Sequence, residues 1–85
     1  MKILIIEDDK SIAELEMDYL SANGFECELA NDGESGLKKA LENDYDLVII
    51  DVMLPRRDGF SVCGELRKGK DVPVIFLSCL LYTSD

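Results

Sequence analysis

The sequence predicts a single α/β domain built on a parallel sheet. Short apolar runs alternate with segments whose apolar residues recur at helical spacing. Two of these runs, 3–6 and 47–50, contain no polar residue, which is typical of strands buried on both faces. Strands that alternate with helices imply right-handed βαβ crossovers and therefore parallel pairing. The length of 85 residues leaves room for one domain at most.

The first half of the chain supplies two strands and two helices. The run 3–6 is the first strand, and the helix after it ends at Asn23-Gly24, a pair that tolerates left-handed backbone. That helix is predicted to be amphipathic, with an apolar face made of Ile12, Leu15, Tyr19 and Leu20. Residues 25–29 alternate apolar and acidic side chains, which predicts an edge or half-exposed strand.

The second predicted helix begins after Asp32, whose side chain can cap it, and runs through Asn43. Its buried stripe is predicted to be Leu37, Ala40 and Leu41. The run 47–50 then forms the third strand and leads without a break into Asp51.

The loop after the third strand is punctuated by Pro55 and Gly59, which we expect to shape it. A third helix is predicted over residues 58–68, with Asp58 as N-cap and Gly69 as its stop. Its inward residues are predicted to be Phe60, Cys63 and Leu66. Residues 72–77 form a fourth strand that ends at Ser78.

Composition excludes several classes of function. The net charge is −9, with 18 acidic residues against nine basic ones, which argues against direct contact with nucleic acid or an anionic membrane surface. No apolar run approaches the roughly 20 residues that span a bilayer. The absence of histidine excludes a Ser-His-Asp triad and histidine metal ligands. The three cysteines are widely separated and no signal peptide is evident, so we expect a reducing cytoplasm.

Carboxylates are therefore the expected carriers of chemistry. The first strand ends at Glu7 and Asp8, and the third at Asp51. If these strands are neighbours, the carboxylates converge at the carboxyl edge of the sheet, where ligands bind in open α/β folds. An oxygen-only set favours Mg²⁺ or Mn²⁺. A solvated turn that caps the first helix is the alternative for the acidic run, but Asp51 directly follows a buried strand, where an unpaired charge is costly.

The motifs resemble the receiver domain of bacterial two-component response regulators. The resemblance runs from Lys2 to Ser78 and rests on three segments, of which the D-x-M-L-P-x-x-D-G pattern is the most specific. These segments are Ile5-Ile6-Glu7-Asp8-Asp9, Asp51-Val52-Met53-Leu54-Pro55-Arg56-Arg57-Asp58-Gly59 and Pro73-Val74-Ile75-Phe76-Leu77-Ser78. The Glu-Asp pair looks most like the OmpR/PhoB-type transcription factors. The resemblance implies a flavodoxin-like doubly wound sheet with strand order 2-1-3-4.

The resemblance also implies a function and a role for each motif residue. Asp51 is the phosphoacceptor, and it takes its phosphoryl group from a histidine of a sensor histidine kinase, which accounts for a chain without histidine. Mg²⁺ is bound directly by Asp8, through water by Glu7, and also by Asp51 and the Met53 carbonyl. Ser78 is the hydroxyl that turns toward the phosphoryl oxygens. Such a domain is a self-phosphorylating signalling module and not a turnover enzyme.

The resemblance implies a truncated domain. Receiver domains have five βα units and about 120 residues, so residues 1–78 are predicted to be a partial domain that lacks the family's lysine, its aromatic switch residue and the face that usually dimerises in the parent. Residues 79–85 do not follow the family pattern and resemble the translation of a transposon-end sequencing adapter. Codons that differ from that adapter would contradict this interpretation.

Two other classes of function compete with the receiver hypothesis. A haloacid-dehalogenase-like phosphatase also uses Mg²⁺ and an aspartate after a buried strand, but its D-x-D motif follows the first strand, whereas Glu7-Asp8-Asp9 leads straight into a helix. A metal-free pseudo-receiver would act only as an interaction module, and the presence of Glu7, Asp8 and Asp51 argues against it.

Overall fold

Four parallel strands and three helices make up the computed structural model, which describes residues 1–52, 54 and 58–77. The strands lie in the order β2-β1-β3-β4, which confirms the predicted order 2-1-3-4 and places β2 at an edge. In chain order the elements are β1 (Lys2–Ile6), α1 (Lys10–Ala22), β2 (Glu26–Ala30), α2 (Gly33–Glu42), β3 (Leu47–Asp51), α3 (Gly59–Gly69) and β4 (Val74–Leu77).

The register of the sheet aligns the carboxyl ends of its central strands. Ile6 at the end of β1 pairs with Ala30 of β2 on one side and with Ile50 of β3 on the other. The residues that follow Ile6 and Ile50 are Glu7 and Asp51, so both acids emerge at the same level of the same edge.

The main core lies between the sheet and helices α2 and α3. Successive strand residues point to opposite faces, and Leu4, Ile6, Val48 and Ile50 point into this core. The remaining members of the core cluster come from β2, from the helices and from the loops: Ala30, Leu37, Ala40, Leu54, Val62, Leu66 and Val72. The opposite face carries Ile3 and Ile5, both fully buried, and there α1 packs against β1 and β2.

The prediction that β3 is buried on both faces holds for only one face. Val48 and Ile50 are buried, but Leu47 and Ile49 on the α1 side are only half-buried. In β4, Ile75 is 49% exposed. Helix α1 contacts β1 and β2, so this face of β3 and β4 has less cover within the described residues.

Each helix begins at an aspartate that accepts hydrogen bonds from backbone N–H groups of the first turn. The three N-caps are Asp9, Asp32 and Asp58. The structure confirms Asp32 and Asp58 as the predicted caps. After α1 the chain turns at Gly24, whose φ of +90° is one that residues with a Cβ rarely adopt.

Most of the predicted apolar face of helix α1 is exposed within the described residues. Leu15 is 68% and Tyr19 71% exposed, and Ile12 is also exposed, while Ala13 is the buried residue of this helix. Ala13, and none of these larger apolar residues, is fully buried. Helical spacing shows which residues share a face, but it does not show which face meets the sheet.

Two further inward predictions are also wrong. Leu41 of α2 is exposed and lies beside Gly69 at the end of α3, while Leu37 and Ala40 are buried as predicted. Phe60 of α3 is exposed, and its ring packs on that of Phe76 with the centroids 4.6 Å apart.

In place of Phe60, the fully buried Val62 joins Leu66 in the core. Cys63 is half-buried and packs against the core. The buried face of α3 is therefore displaced by part of a turn from the predicted one.

Four predicted features lie outside the described residues: the Met53 carbonyl, Pro55, Ser78 and the segment 79–85. Among the helices of the described part of the chain, none has the length and apolarity needed to cross a membrane.

Candidate functional site

Three carboxylates meet at the carboxyl edge of the sheet. Glu7 directly follows β1, Asp8 comes next, and Asp51 is the last residue of β3. One oxygen from each of the three lies within 4.8 Å of the others. The structure therefore brings together the three side chains that the sequence predicted to converge, and it does so through the pairing of β1 with β3.

The three carboxylates differ in their contact with solvent. Glu7 is only 3% exposed, Asp51 is half-buried and Asp8 is exposed. The backbone N–H of Glu7 donates to the Ala30 carbonyl at 3.0 Å, which holds the chain beside β2 for one residue beyond β1. The Oε2 atom of Glu7 accepts a hydrogen bond of 3.2 Å from the Asp9 backbone N–H. A ligand from solvent therefore meets Asp8 first and Glu7 last.

The crowding of these acids changes the protonation of Glu7. Burial, followed by the negative charge of Asp51 and a hydrogen bond with it, raises the pKa of Glu7 to about 7. The hydrogen bond from Asp9 opposes this rise, and the charge of Glu16 adds a smaller increase. Near neutral pH Glu7 is therefore partly protonated, as expected for a buried carboxyl beside another acid.

Asp9 has a different role from the two acids before it. Its Oδ1 atom accepts hydrogen bonds from the backbone N–H groups of Ser11 at 2.9 Å and Ile12 at 3.2 Å. The alternative interpretation of the acidic run, a turn that caps the first helix, therefore holds for Asp9. Glu7 and Asp8 belong to the carboxylate cluster.

Gly59 shapes the backbone beside Asp51. Its N–H donates to the Val52 carbonyl at 3.0 Å, which ties the start of α3 to the end of β3. A Cβ at this position would lie 2.7 Å from the Asp51 carbonyl oxygen and 2.9 Å from Cγ2 of Ile50. No larger residue fits here without moving the strand that carries Asp51, and this supports the loop-shaping role predicted for Gly59.

A fourth acid, Glu16 of α1, lies near the cluster and was not among the predicted site residues. Its Oε1 atom is buried and has no hydrogen-bond partner within the described residues. Burial, followed by the charge of Asp51, raises the pKa of this carboxyl. The one sequence signal was its spacing, because Glu16 follows Ala13 by three residues and so lies on the same side of the helix.

The donor set fits a small divalent cation. All its side-chain donors are carboxylate oxygens, which Mg²⁺ prefers. Burial and the charge of Asp51 raise the pKa of Glu7, and a bound cation would offset this repulsion. The fold and the site together define a doubly wound α/β domain with an acidic edge whose oxygen donors suit a divalent cation.

Comparison with known proteins identifies the family within that class. The family model described as "Response regulator receiver domain" matches residues 3–82. The chain belongs to this family, which is the one that its motifs resemble.

Curated relatives of the OmpR type support this assignment. The chain is 42% identical to the transcriptional regulatory protein RprY of Bacteroides fragilis over 86 aligned residues, which cover all of this chain and 36% of RprY. It is 44% identical to the transcriptional regulatory protein DltR of Streptococcus agalactiae, again over the whole chain and 38% of the relative. The chain therefore spans a little over a third of the length of these relatives.

Solved structures confirm the flavodoxin-like receiver fold. The response regulator TrrA of Thermotoga maritima, solved in complex with Mg²⁺-BeF, has a TM-score of 0.89 and 41% identity, over 99% of this chain and 75% of TrrA. A second structure, of the histidine kinase ThkA in complex with TrrA, matches with a TM-score of 0.87 and 41% identity, over 99% of this chain and 74% of that chain.

Proposed function

We propose that this chain is a phosphoacceptor module in which Asp51 takes a phosphoryl group from a sensor histidine kinase with the help of Mg²⁺. The observation that carries the proposal is the meeting of the Glu7, Asp8 and Asp51 carboxylates within 4.8 Å of one another. Family membership adds the receiver chemistry, since the family model covers nearly the whole chain.

In the proposed step, a carboxylate oxygen of Asp51 attacks the phosphorus of a phosphohistidine on the partner. The phosphorus–nitrogen bond breaks, an acyl phosphate forms on Asp51, and the released imidazole nitrogen takes up a proton. Mg²⁺ held by Glu7, Asp8 and Asp51 would neutralise charge on the phosphoryl oxygens. The chain is modified in this step and is not regenerated by it, so we propose a signalling module and not a turnover enzyme.

The exposure of each carboxylate supports the roles that the resemblance implies. Asp8 is exposed and can bind Mg²⁺ directly, while the buried Glu7 is suited to act through a water molecule. Asp51 is only half-buried, so its side chain keeps contact with the solvent from which a phosphoryl donor approaches. The roles of the Met53 carbonyl as a ligand and of the Ser78 hydroxyl as the switch group rest on the resemblance.

The partner and the output are proposed from relatives. TrrA has been solved in complex with the histidine kinase ThkA, and this supports a histidine kinase as the partner here. RprY and DltR are transcriptional regulatory proteins, and the chain matches a little over a third of each. We therefore propose a DNA-binding transcriptional regulator as the parent protein, acting in the cytoplasm. A homodimer of that parent stays a prediction.

Incubation with acetyl phosphate and MgCl₂, followed by intact-protein mass spectrometry, tests the phosphoacceptor role. We expect the mass of one phosphoryl group to be added to the unmodified chain. Asp51→Asn should abolish the addition. Asp18→Asn, which changes an exposed aspartate of α1, should leave it unchanged.

Three outcomes would contradict the proposal. Labelling that persists in Asp51→Asn would exclude Asp51 as the acceptor. Release of many phosphate molecules per chain would indicate a haloacid-dehalogenase-like phosphatase. The absence of any response to MgCl₂ would favour a metal-free pseudo-receiver.

A further inference from the structure

An aromatic pair joins the start of α3 to β4. Phe60 is the second residue of α3, and its ring packs on that of Phe76 with the centroids 4.6 Å apart and the ring planes inclined by 42°. Phe76 is half-buried and packs against the main core, whereas Phe60 is 61% exposed. Because most of the Phe60 ring stays in water, burial contributes little, and its attraction to the Phe76 ring holds it in place.

The pair lies where the hydrogen bonding between β3 and β4 becomes weaker. At the start of this pairing, the Val48 N–H donates to the Pro73 carbonyl at 3.0 Å. At the carboxyl edge, the Val52 N–H donates to the Leu77 carbonyl at 3.5 Å, which is longer than an ordinary N–H···O bond. Val52 directly follows Asp51, so side-chain contacts that hold the two strands together matter most beside that residue.

The first turn of α3 rests on both of these strands. The Gly59 N–H donates to the Val52 carbonyl at 3.0 Å, and a Cβ at Gly59 would lie 2.9 Å from Cγ2 of Ile50, so this glycine sits directly on β3. The next residue, Phe60, contacts β4 through Phe76, which is the register partner of Ile50. The start of the helix therefore spans two neighbouring strand residues, and Phe60 supplies the contact with β4.

Asp51 lies between the two β3 residues that the start of α3 contacts, Ile50 and Val52. An in-line phosphoryl transfer is sensitive to the position of its nucleophile. We propose that Phe60 is a positioning residue for Asp51: by packing on Phe76, it keeps the first turn of α3 seated on both strands and so fixes the backbone that carries the phosphoacceptor. The inference rests on the proposed function of Asp51 and adds to it a residue that bears no reactive group.

The first test measures the rate at which acetyl phosphate and MgCl₂ label the chain, at a temperature where circular dichroism shows each variant to be folded. Phe60→Leu keeps an apolar side chain but removes the ring, and we expect it to slow labelling by about twofold to tenfold, the range that an aromatic pair contributes. Phe60→Tyr keeps the ring and should restore nearly the unmodified rate. Ile75→Ala is the matched control, because it removes a 49% exposed apolar side chain from the other face of β4. It should leave the rate nearly unchanged.

A double-mutant cycle tests whether Phe60 acts through Phe76. Phe76→Leu should slow labelling as well. The variant that combines Phe60→Leu with Phe76→Leu should be about as slow as the slower single variant, because the second substitution removes an interaction that is already lost. Effects of the two substitutions that multiply would show that the residues act independently and would overturn the inference.

Hydrogen exchange separates positioning of the site from a general effect on stability. The amides of Gly59 and Val48 both donate hydrogen bonds of 3.0 Å, the first beside Asp51 and the second at the opposite end of β3. In Phe60→Leu we expect the Gly59 amide to exchange about twofold to tenfold faster and the Val48 amide to keep its rate, because only the edge of the sheet loosens. A residue that only stabilised the whole fold would change both amides alike.

The outcomes keep this inference distinct from the phosphoacceptor proposal. Equal labelling rates of Phe60→Leu and the unmodified chain would overturn the inference and leave Asp51 as the phosphoacceptor. Slowing by Ile75→Ala as large as that by Phe60→Leu, or equal acceleration of the Gly59 and Val48 amides, would also overturn it. If the unmodified chain is not labelled at all, the proposed function fails and the inference fails with it.

Discussion

The position of Asp51 depends on the small size of a neighbouring residue, Gly59. The backbone of Gly59 approaches the end of β3 so closely that a Cβ there would lie 2.7 Å from the Asp51 carbonyl oxygen. Gly64, one and a half turns further along α3, provides a natural comparison, because a Cβ at that position would meet no described atom within 4 Å. Alanine substitutions at the two positions therefore distinguish a steric effect at Gly59 from a gain in helix propensity at Gly64.

We expect Gly59→Ala to lower the free energy of unfolding by about 1–3 kcal/mol, because the added methyl group overpacks the contact with β3. Labelling of Asp51 should slow in the same variant. Gly64→Ala should instead raise stability by about 0.5–1 kcal/mol, since alanine favours a helix interior. Urea unfolding of both variants checks the prediction, and equal changes in the two would contradict the steric argument.

Among the elements, β1, β2, α2 and the segment before β3 are joined by a polar network around Glu28. The Tyr45 hydroxyl donates to Oε1 of Glu28 at 2.7 Å, and the amino groups of Lys2 and Lys39 lie 3.4 and 3.6 Å from the same carboxylate. Tyr45, followed by Lys2 and Lys39, lowers the pKa of Glu28. Burial, followed by Glu28, raises the pKa of Tyr45 to about 12.

This network predicts a pH dependence at both extremes. The lowered pKa of Glu28 gives stability that is present above its ordinary value of 4.5 and is lost as the pH falls through the lower folded-state value. Tyr45 stays protonated in the folded chain up to about pH 12 but ionises near 10 when unfolded, so stability falls as the pH rises between these values.

Tyr45→Phe isolates the contribution of the hydroxyl. We expect a loss of about 1 kcal/mol at neutral pH, since the hydrogen bond to a charged acceptor is partly exposed. The difference in stability between the two chains should shrink as the pH rises above 10. The stability that the protonated Tyr45 hydroxyl gives the unmodified chain is then lost, and the variant never had it. Chemical unfolding at a series of pH values from 7 to 11 checks this, and a constant difference over the series would contradict it.

The order of the strands and helices could be predicted from the sequence more accurately than the buried face of each helix. Strand order, parallel pairing and the caps Asp32 and Asp58 follow from local signals, namely apolar runs and capping side chains. The buried face of a helix depends also on how closely it lies against the sheet. The buried residue of α1 is Ala13, whose small apolar side chain was not a strong signal in the sequence.

The same contrast holds for the site. Glu7, Asp8 and Asp51 could be predicted to converge because each follows a strand and the rule for parallel sheets brings strand ends together. Glu16 could not, because it lies within a helix among other acidic residues and only the tertiary packing shows that its carboxylate is buried.

At the scale of the whole molecule, the strands of the sheet differ in how far they are buried within the described residues. Strand β1 lies between two others and its residues 3–6 are at most 1% exposed, whereas β4 is an edge strand within the described residues. An apolar edge strand is free to pair with another chain. The exposed Ile75 lies on this strand, and the exposed Leu15 and Tyr19 lie on α1.

We expect this 85-residue chain to be marginally stable and to open first at β4. Backbone amides of Ile3–Ile6 should exchange with solvent most slowly, and those of Val74–Leu77 should exchange much faster, because opening the edge breaks one strand pairing and exposes little core. Hydrogen exchange followed by NMR on a dilute, monomeric sample checks this. Strong protection of β4, equal to that of β1, would contradict the prediction.

The three aspartate caps have a consequence for how negative charge can be held at the acidic edge. In many phosphate-binding proteins the free N–H groups at the start of a helix donate hydrogen bonds directly to the anion. Here Asp9, Asp32 and Asp58 already occupy first-turn donors of Ser11, Ile12, Ser35 and Ser61. Each cap also places a negative charge at the positive end of its helix dipole. Inorganic phosphate alone should therefore bind weakly at these helix starts, and we expect its capture at the acidic edge to require a bound cation.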